Sequence, residues 1–187
     1  MTSSTYLDGK LLLAMPSMSD PRFERAVIYL CSHDASGAMG LIINQAFTNL
    51  SFESLLEQLD IDVPDDVPDV PVHSGGPVEP GRGFVLHSAD FVQETTLVVS
   101  ETLALSATVD ILQALAAGRG PRHHLLALGY AGWGAGQLEQ EIQANAWLTA
   151  EADDEIIFNT ELEQKWPRAM AMLGVNISML SSDAGHA

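Results

Sequence analysis

The chain has 187 residues and a formal net charge of −17, because 25 acidic side chains outweigh 8 basic ones. Such a surface repels the phosphates of nucleic acid, and the basic residues form no run along the sequence, so direct DNA or RNA binding is not expected. The length and the 47% hydrophobic content are typical of one domain, and we expect residues 1–187 to fold as one.

The cysteine content and the hydropathy of the sequence indicate the cellular compartment of the protein. Cys31 is the single cysteine, so no intrachain disulfide can form and nothing points to an oxidising compartment. The amino-terminal residues lack a basic segment followed by a long apolar one, and no apolar run reaches the roughly 20 residues that a membrane helix needs. We therefore expect a cytoplasmic protein that does not enter the membrane.

The first predicted elements are a β-hairpin and a helix. Residues 26–33, AVIYLCSH, are rich in β-favouring side chains and predict a strand covered on both faces. The glycine-containing loop 34–38 joins it to MGLIIN at 39–44, which favours a hairpin. Ser51 is a possible amino-terminal cap for an amphipathic helix over residues 52–60.

An acidic, proline-rich loop follows at residues 60–71, DIDVPDDVPDVP. Its three prolines and five aspartates exclude a regular helix or a central strand. The segments on either side are each too small to bury separate cores, so we interpret the loop as an excursion within one domain rather than a linker between two.

Strands and helices alternate beyond this loop. Strands are predicted at 83–87 and 95–100, and an apolar face at helical spacing predicts a helix between 107 and 117. Residues 123–133 predict a buried strand that enters a glycine-rich turn, after which residues 136–145 form a helix.

The last elements are a short strand and a helix. IIF at 156–158 favours a strand, and Thr160 with Glu163 fits the capping box that opens a helix. Pro167 predicts a kink or a restart of this helix, and Gly174 its end. The whole order predicts an α+β fold around a mixed sheet.

Two glycine-rich motifs are the most distinctive features. Residues 129–142 read GYAGWGAGQLEQEI, and residues 73–78 read HSGGPV. The glycines of the first motif are two apart, unlike the spacing of a dinucleotide fingerprint, so a tight chain reversal is favoured over phosphate binding. The second motif predicts a turn with exposed backbone; Ser74 has no nucleophile elbow around it.

Together with GRGFVLH at 81–87, the opening at 9–33 and SGAMGLIIN at 36–44, these motifs resemble the bacterial AlgH/YqgE family nearly end to end. The resemblance implies a bifurcated sheet bent into a pseudo-barrel, with helices packed outside. It also implies the family's historical label, a putative transcriptional regulator, but no settled activity. Gln45 and Ala46 stand where relatives commonly carry a basic residue and proline.

The other residues that could take part in catalysis or binding are more simply interpreted as structural. Cys31 and His33 lie on one face of a strand and could form a thiolate and base, but a lone cysteine in an apolar strand is more often a buried hydrophobe. The histidines lack the spacing of a zinc enzyme, so neither metal nor cofactor is expected. The three tryptophans are predicted to be core anchors rather than a platform for stacking bases.

Two functional hypotheses remain. The first is a non-enzymatic regulatory or interaction module that acts through an unidentified protein or small-molecule partner. The alternative is a small-molecule-binding protein or enzyme with a pocket where HSGGPV and GYAGWGAGQ approach each other. No residue is assigned a catalytic role; the candidate ligand-binding residues are Asn44, His73, Gly75, Gly76, Gly132 and Gln137.

Overall fold

A computed structural model describes residues 6–174. Its strands are β1 (Lys10–Ala14), β2 (Val27–Asp34), β3 (Gly37–Ile42), β4 (Val72–Ser74), β5 (Val78–Ser88), β6 (Leu97–Val98), β7 (Leu103–Ser106), β8 (His124–Gly134) and β9 (Trp147–Glu151). Its α-helices are α1 (Phe52–Gln58), α2 (Val109–Ala116), α3 (Gln137–Gln143) and α4 (Leu162–Met172). A 3-10 turn lies at Pro21–Phe23 and a π-helical turn at Glu155–Asn159.

The strands form one curled sheet in the described part of the chain, in the order β6-β7-β5-β8-β3-β2-β1-β9. All neighbours along this path are antiparallel, whereas β4 pairs with β8 in parallel. The sheet branches at β8, because β4 pairs with residues 126–128 of this strand and β3 with residues 131–134. The predicted α+β fold with a mixed, bifurcated sheet is confirmed.

The helices cover apolar clusters on the two faces of the sheet. Trp166 and Met170 of α4 pack with Leu11 and Tyr29. A second cluster lies under α1 and α2, and a third joins Leu138 of α3 to the tryptophans of β8 and β9. Strand β1 is therefore buried on both sides, with Leu11 and Leu12 in different clusters.

The composition of β1 explains why the sequence does not predict it. Like β2 it has no alternation of polar and apolar residues, but its LLLA segment also lacks the β-branched and aromatic residues that mark β2 as a strand. Strand β9 was missed as well, and the predicted strand at 156–158 is wrong, since these residues belong to the π-helical turn. Asp153 opens that turn: its side chain accepts from Glu155 N and its carbonyl oxygen from Ile157 N.

The start of α4 also differs from the prediction. Glu161, not Thr160, occupies the N-cap position, and the Thr160 hydroxyl donates to Glu155 O at 2.8 Å. The helix does not restart at Pro167 but runs on to Met172. Residues 60–71 contain no helix or strand, although Ile61 and Val70 are buried in the cluster beneath α1 and α2. None of the helices between residues 6 and 174 is long and apolar enough to span a bilayer.

Candidate functional site

The HSGGPV turn lies against β8, because residues 129–134 of the GYAGWGAGQ motif belong to this strand and the chain turns only at residues 135–136. Gly75 N donates to Leu128 O at 2.8 Å. A Cβ atom on Gly75 would lie 2.4 Å from Gly129 O, and one on Gly76 would lie 2.1 Å from the carbonyl carbon of Tyr130. The backbones approach more closely than any side chain permits, so the glycines are required for the contact between the HSGGPV turn and β8.

A cleft of about 360 Å³ opens beside this contact, between the 3-10 turn, residues 77–78 and α3. We call it the turn cleft. Its aromatic lining comprises Phe23, Trp133 and Trp147, and its polar lining comprises Asp20, Arg22, Gln137 and Glu141. Gly132 and Pro77 supply backbone from the two motifs.

Glu141 is the polar centre of the turn cleft. One of its carboxylate oxygens accepts from Trp133 Nε1 at 3.0 Å and from Trp147 Nε1 at 2.9 Å. The other accepts from Gln137 Nε2 at 2.8 Å, while Gln137 Oε1 accepts from Gly134 N. The QLEQE sequence at 137–141 places Gln137 and Glu141 one helical turn apart, so both reach the same side of α3.

The aromatic rings are fixed by edge-to-face contacts. Trp147 lies 5.7 Å from Phe23 and 5.9 Å from Trp133, measured between ring centroids. Trp133 is 7% exposed and Trp147 is 2% exposed, so both anchor the core. At the rim, the Arg22 guanidinium lies 5.5 Å from the Phe23 ring and is paired with Asp20 at 2.8 Å.

Four of the six predicted ligand-binding residues lie at or beside the turn cleft, and the other two do not. Gly132 and Gln137 line the turn cleft, and Gly75 and Gly76 form the contact beside it. Asn44 lies elsewhere: its side chain accepts from Val27 N and donates to Arg25 O, which holds the chain entering β2. The fold therefore does not bring Asn44 to the cleft.

His73 is also separated from the turn cleft. It is buried on β4, where its Nδ1–H donates to Leu126 O at 3.0 Å. Burial lowers the pKa of His73 to about 4, so the imidazole is neutral at physiological pH. The sequence placed His73 next to Gly75 and Gly76, but the side chain points to a different cavity.

Cys31 and His33 do not act as a pair. The Cys31 thiol is 3% exposed and donates to Tyr29 O, and burial raises its pKa to about 12. His33 Nδ1 accepts from Leu7 N, and its Nε2 lies 3.3 Å from Glu139 Oε2. A register shift between Leu30 and Ser32 interrupts the simple alternation on which the pairing was based.

A serine and histidine pair that sequence reasoning missed lies on β5 and β7. His87 Nε2 and Ser106 Oγ are 2.8 Å apart, and Ser106 Oγ lies 3.2 Å from Thr96 Oγ1. His87 is fully buried and Ser106 is 3% exposed. Since no substrate reaches a hydroxyl at that depth, the pair is a structural hydrogen bond between strands.

Lys165 is the other polar residue that the sequence did not single out. Its side chain is buried, and Nζ donates to Ile43 O at 2.8 Å and to Ile157 O at 2.7 Å. The signal available in the sequence was its place beside Trp166 near the apolar stripe of α4. No group of three or more His, Cys, Asp or Glu side chains within residues 6–174 is arranged to hold a metal ion.

The sequence profile of the AlgH-like family matches residues 11–178. The chain belongs to the AlgH-like family. A UPF0301 protein from Methylobacterium nodulans is 55% identical over 99% of this chain and 92% of its own length. A relative from Bradyrhizobium diazoefficiens is 52% identical over 100% of this chain and 91% of its own.

Two solved structures share this fold. The solution structure of AlgH from Pseudomonas aeruginosa superposes with a TM-score of 0.79 and 47% identity, covering 100% of this chain and 99% of that one. A crystal structure from Corynebacterium diphtheriae, 20% identical, has a TM-score of 0.74 over 97% of this chain and 94% of its own, and shows the fold alone. The predicted family is therefore confirmed.

Proposed function

We propose that this protein is a non-enzymatic, cytoplasmic interaction module whose turn cleft binds a cationic segment of a partner protein. The observation that carries the proposal is Glu141, a carboxylate held among aromatic rings by neutral donors. The location rests on the lone, buried Cys31 and the lack of any disulfide pair in the sequence.

The charge of Glu141 is not compensated within the described chain. Three N–H groups of Trp133, Trp147 and Gln137 orient it, but all three are uncharged. Arg22, the cation at the rim, is already paired with Asp20. A negative charge beside aromatic rings suits the guanidinium or ammonium of arginine or lysine.

The net charge supports the same class of partner. With 25 acidic and 8 basic residues, the protein attracts basic segments at long range and repels acidic ones. Regulation of transcription, the family's historical label, would then pass through a protein partner and not through contact with DNA. Catalysis is not proposed, because the thiol and the serine and histidine pair described above are shielded from solvent.

The experiment is a titration of tryptophan fluorescence with short basic peptides. Trp133 and Trp147 lie in the cleft and Trp166 in the core of α4, so binding changes the signal of the first two. Arginine- and lysine-containing peptides are compared with matched peptides carrying glutamine. We expect saturable binding of the basic peptides alone.

Paired variants identify the cleft as the binding site. Glu141→Gln keeps an acceptor for the indole N–H groups but removes the charge, and we expect binding to weaken by about tenfold, the usual worth of a charge-assisted hydrogen bond. Glu57→Gln removes the same charge from the exposed face of α1. Equal weakening by both variants would show general electrostatic attraction and would refute the cleft as the site.

A small organic cation is the second candidate, favoured by the volume of the cleft. About 360 Å³ lies within the range of small-molecule pockets. A competition experiment distinguishes the protein partner from the small organic cation. A small amine that displaces the basic peptide, and that binds as tightly as the peptide does, favours the small-molecule function. Capture of a basic protein from native lysate by the wild type, lost in Glu141→Gln, favours the protein partner.

A further inference from the structure

A second cavity surrounds Lys165 and is distinct from the turn cleft. We call it the lysine cavity. It has a volume of about 280 Å³ and lies between β4, β8, the π-helical turn and the start of α4. Lys165, His73 and His124 contribute polar groups to it, while Leu126, Ile157 and Phe158 contribute apolar walls.

Lys165 is a buried cation that lacks a counter-ion. The side chain is 2% exposed, and no carboxylate oxygen between residues 6 and 174 lies within 4 Å of Nζ. Two of its three N–H donors reach the carbonyl oxygens of Ile43 and Ile157, which leaves one donor without a protein acceptor in that part of the chain. Burial of an unpaired charge is costly, and an anion in the cavity would offset that cost.

The other titratable groups do not supply the missing negative charge. His73 is neutral at physiological pH, since burial lowers its pKa to about 4. Burial also lowers the pKa of His124, whose Nδ1 atom is buried and has no hydrogen-bond partner among the described residues. Glu161 is the one carboxylate in the lining, and it is exposed to solvent.

The backbone adds to the positive potential of the lysine cavity. Helix α4 begins at Leu162, which lines the cavity; no side chain caps its first N–H groups, and the carboxylates at this end, Glu161 and Glu163, are exposed to solvent. The end of a helix at which N–H groups are free carries a partial positive charge and favours anions. This contribution supplements that of the Lys165 ammonium.

We propose that the lysine cavity binds a small organic carboxylate. Its carboxylate accepts from the free donor of Lys165, and its apolar part contacts Ile157, Phe158 and Leu162. The apolar walls favour an organic acid over inorganic phosphate, because a phosphate ion would place its charged oxygens against those walls.

The π-helical turn holds this arrangement in place. Ile157 provides both an apolar wall and a carbonyl acceptor for Lys165. The Phe158 ring is stacked on His123, with 5.5 Å between centroids and 24° between the ring planes. Turns of this rare type are frequent at functional sites.

The first test is calorimetric titration of the full chain with butanoate, with butanamide as its neutral counterpart and with inorganic phosphate. We expect butanoate to bind with a dissociation constant of about 1 mM or tighter, and the other two to bind at least tenfold more weakly. Equal binding of butanoate and butanamide, or no binding of butanoate, would overturn the proposal.

Matched variants locate the site. Lys165→Met keeps the length of the side chain and removes the charge, and we expect it to abolish butanoate binding. Arg119→Met removes a cation from the exposed segment that follows α2, outside the lining of the cavity, and should leave binding unchanged. Loss of binding in both variants, or in neither, would contradict the assignment to Lys165.

Because Lys165→Met also leaves two carbonyl groups without a donor, the folded wild type provides an independent measurement. The pKa of Lys165 is followed by NMR of its side chain with and without saturating butanoate. An anion beside the ammonium stabilises the charged form, so the pKa must rise on binding. Butanoate that binds without moving the Lys165 pKa occupies another site, and the proposal is then wrong.

Discussion

Single buried polar groups tie distant parts of this protein together. Trp166 Nε1 donates to Ala14 O at 2.8 Å, which links α4 to β1. Lys165 links the same helix to Ile43, just beyond β3, and His73 links β4 to β8 through Leu126 O. Each such bond satisfies a group that burial would otherwise leave without a partner, so loss of either partner costs about 1–3 kcal/mol.

Cys31 is predicted to react slowly in the folded protein. Its thiol is 3% exposed and its pKa is raised to about 12 by burial, so the thiolate is both rare and inaccessible at neutral pH. We expect slow labelling by a thiol reagent at pH 7, and fast labelling once denaturant unfolds the chain. Rapid stoichiometric labelling of the native state would show that the thiol is reachable.

His73 is predicted to make stability fall as the pH decreases. Its folded pKa of about 4 lies below the ordinary value of 6.5, so between these values the unfolded state binds a proton that the folded state excludes. The free energy of unfolding therefore decreases as the pH falls from 6.5 to 4, by at most about 3 kcal/mol from this group. Urea unfolding at a series of pH values measures it.

A variant separates this effect from the titration of carboxylates. His73→Asn retains a side-chain N–H near the position of Nδ1, so it can still donate to Leu126 O, but it does not titrate. The difference in the free energy of unfolding between wild type and variant should change between pH 6.5 and 4. Parallel pH profiles would mean that His73 is protonated equally in the folded and unfolded states.

At the scale of elements, the contact between the HSGGPV turn and β8 sets the geometry of the turn cleft. Residues 75–76 connect β4 to β5, and both strands pair with β8. The turn therefore lies over Gly129 and Tyr130 of β8 at backbone distance. Any side chain inserted here separates β5 from β8 and displaces Pro77 at the edge of the cleft.

Gly76→Ala is predicted to be strongly destabilising. The residue has a φ of +152°, and a Cβ atom would lie 2.1 Å from the Tyr130 carbonyl carbon. Backbone strain alone costs about 1–3 kcal/mol, and the clash adds to it. Gly81→Ala is the control, since its Cβ meets nothing within 4 Å and should change stability by less than about 0.5 kcal/mol. Equal unfolding free energies for the two variants would disprove the close contact.

At the scale of the whole molecule, charge is the dominant surface property. The net charge of −17 acts against any polyanion, and the cations of the turn cleft and the lysine cavity do not form a basic patch, because Arg22 is paired and Lys165 is buried. Counterion release, which drives association with DNA, needs several basic residues on one face.

The protein is therefore predicted not to bind duplex DNA specifically. In gel-shift titrations at about 150 mM salt, we expect no sequence-dependent shift at nanomolar protein, the range in which specific complexes form. A mixture of unrelated duplexes serves as the control for non-specific retention. A shift confined to one sequence would show that a local surface overcomes the net charge.

The sequence by itself determined the family and the α+β class. It also predicted α1, α2, α3, the β2–β3 hairpin and β8, because these elements depend on local periodicity, turn residues and caps. The same local signals predicted turns at HSGGPV and at GYAGWGAGQ; in the second motif the structure limits the turn to residues 135–136, since residues 129–134 belong to β8. They did not predict β1, because its LLLA segment has neither alternating polarity nor β-branched or aromatic residues.

Only the tertiary structure decided what each polar side chain does. Glu141 became the centre of the turn cleft because β8 and β9 bring two indole N–H groups to it. Lys165 meets Ile43 across 122 residues of sequence, and Trp166 meets Ala14 across 152. These contacts form only when the sheet closes and α4 packs against it. Because both steps bring together residues that are far apart in the chain, local sequence patterns do not predict them.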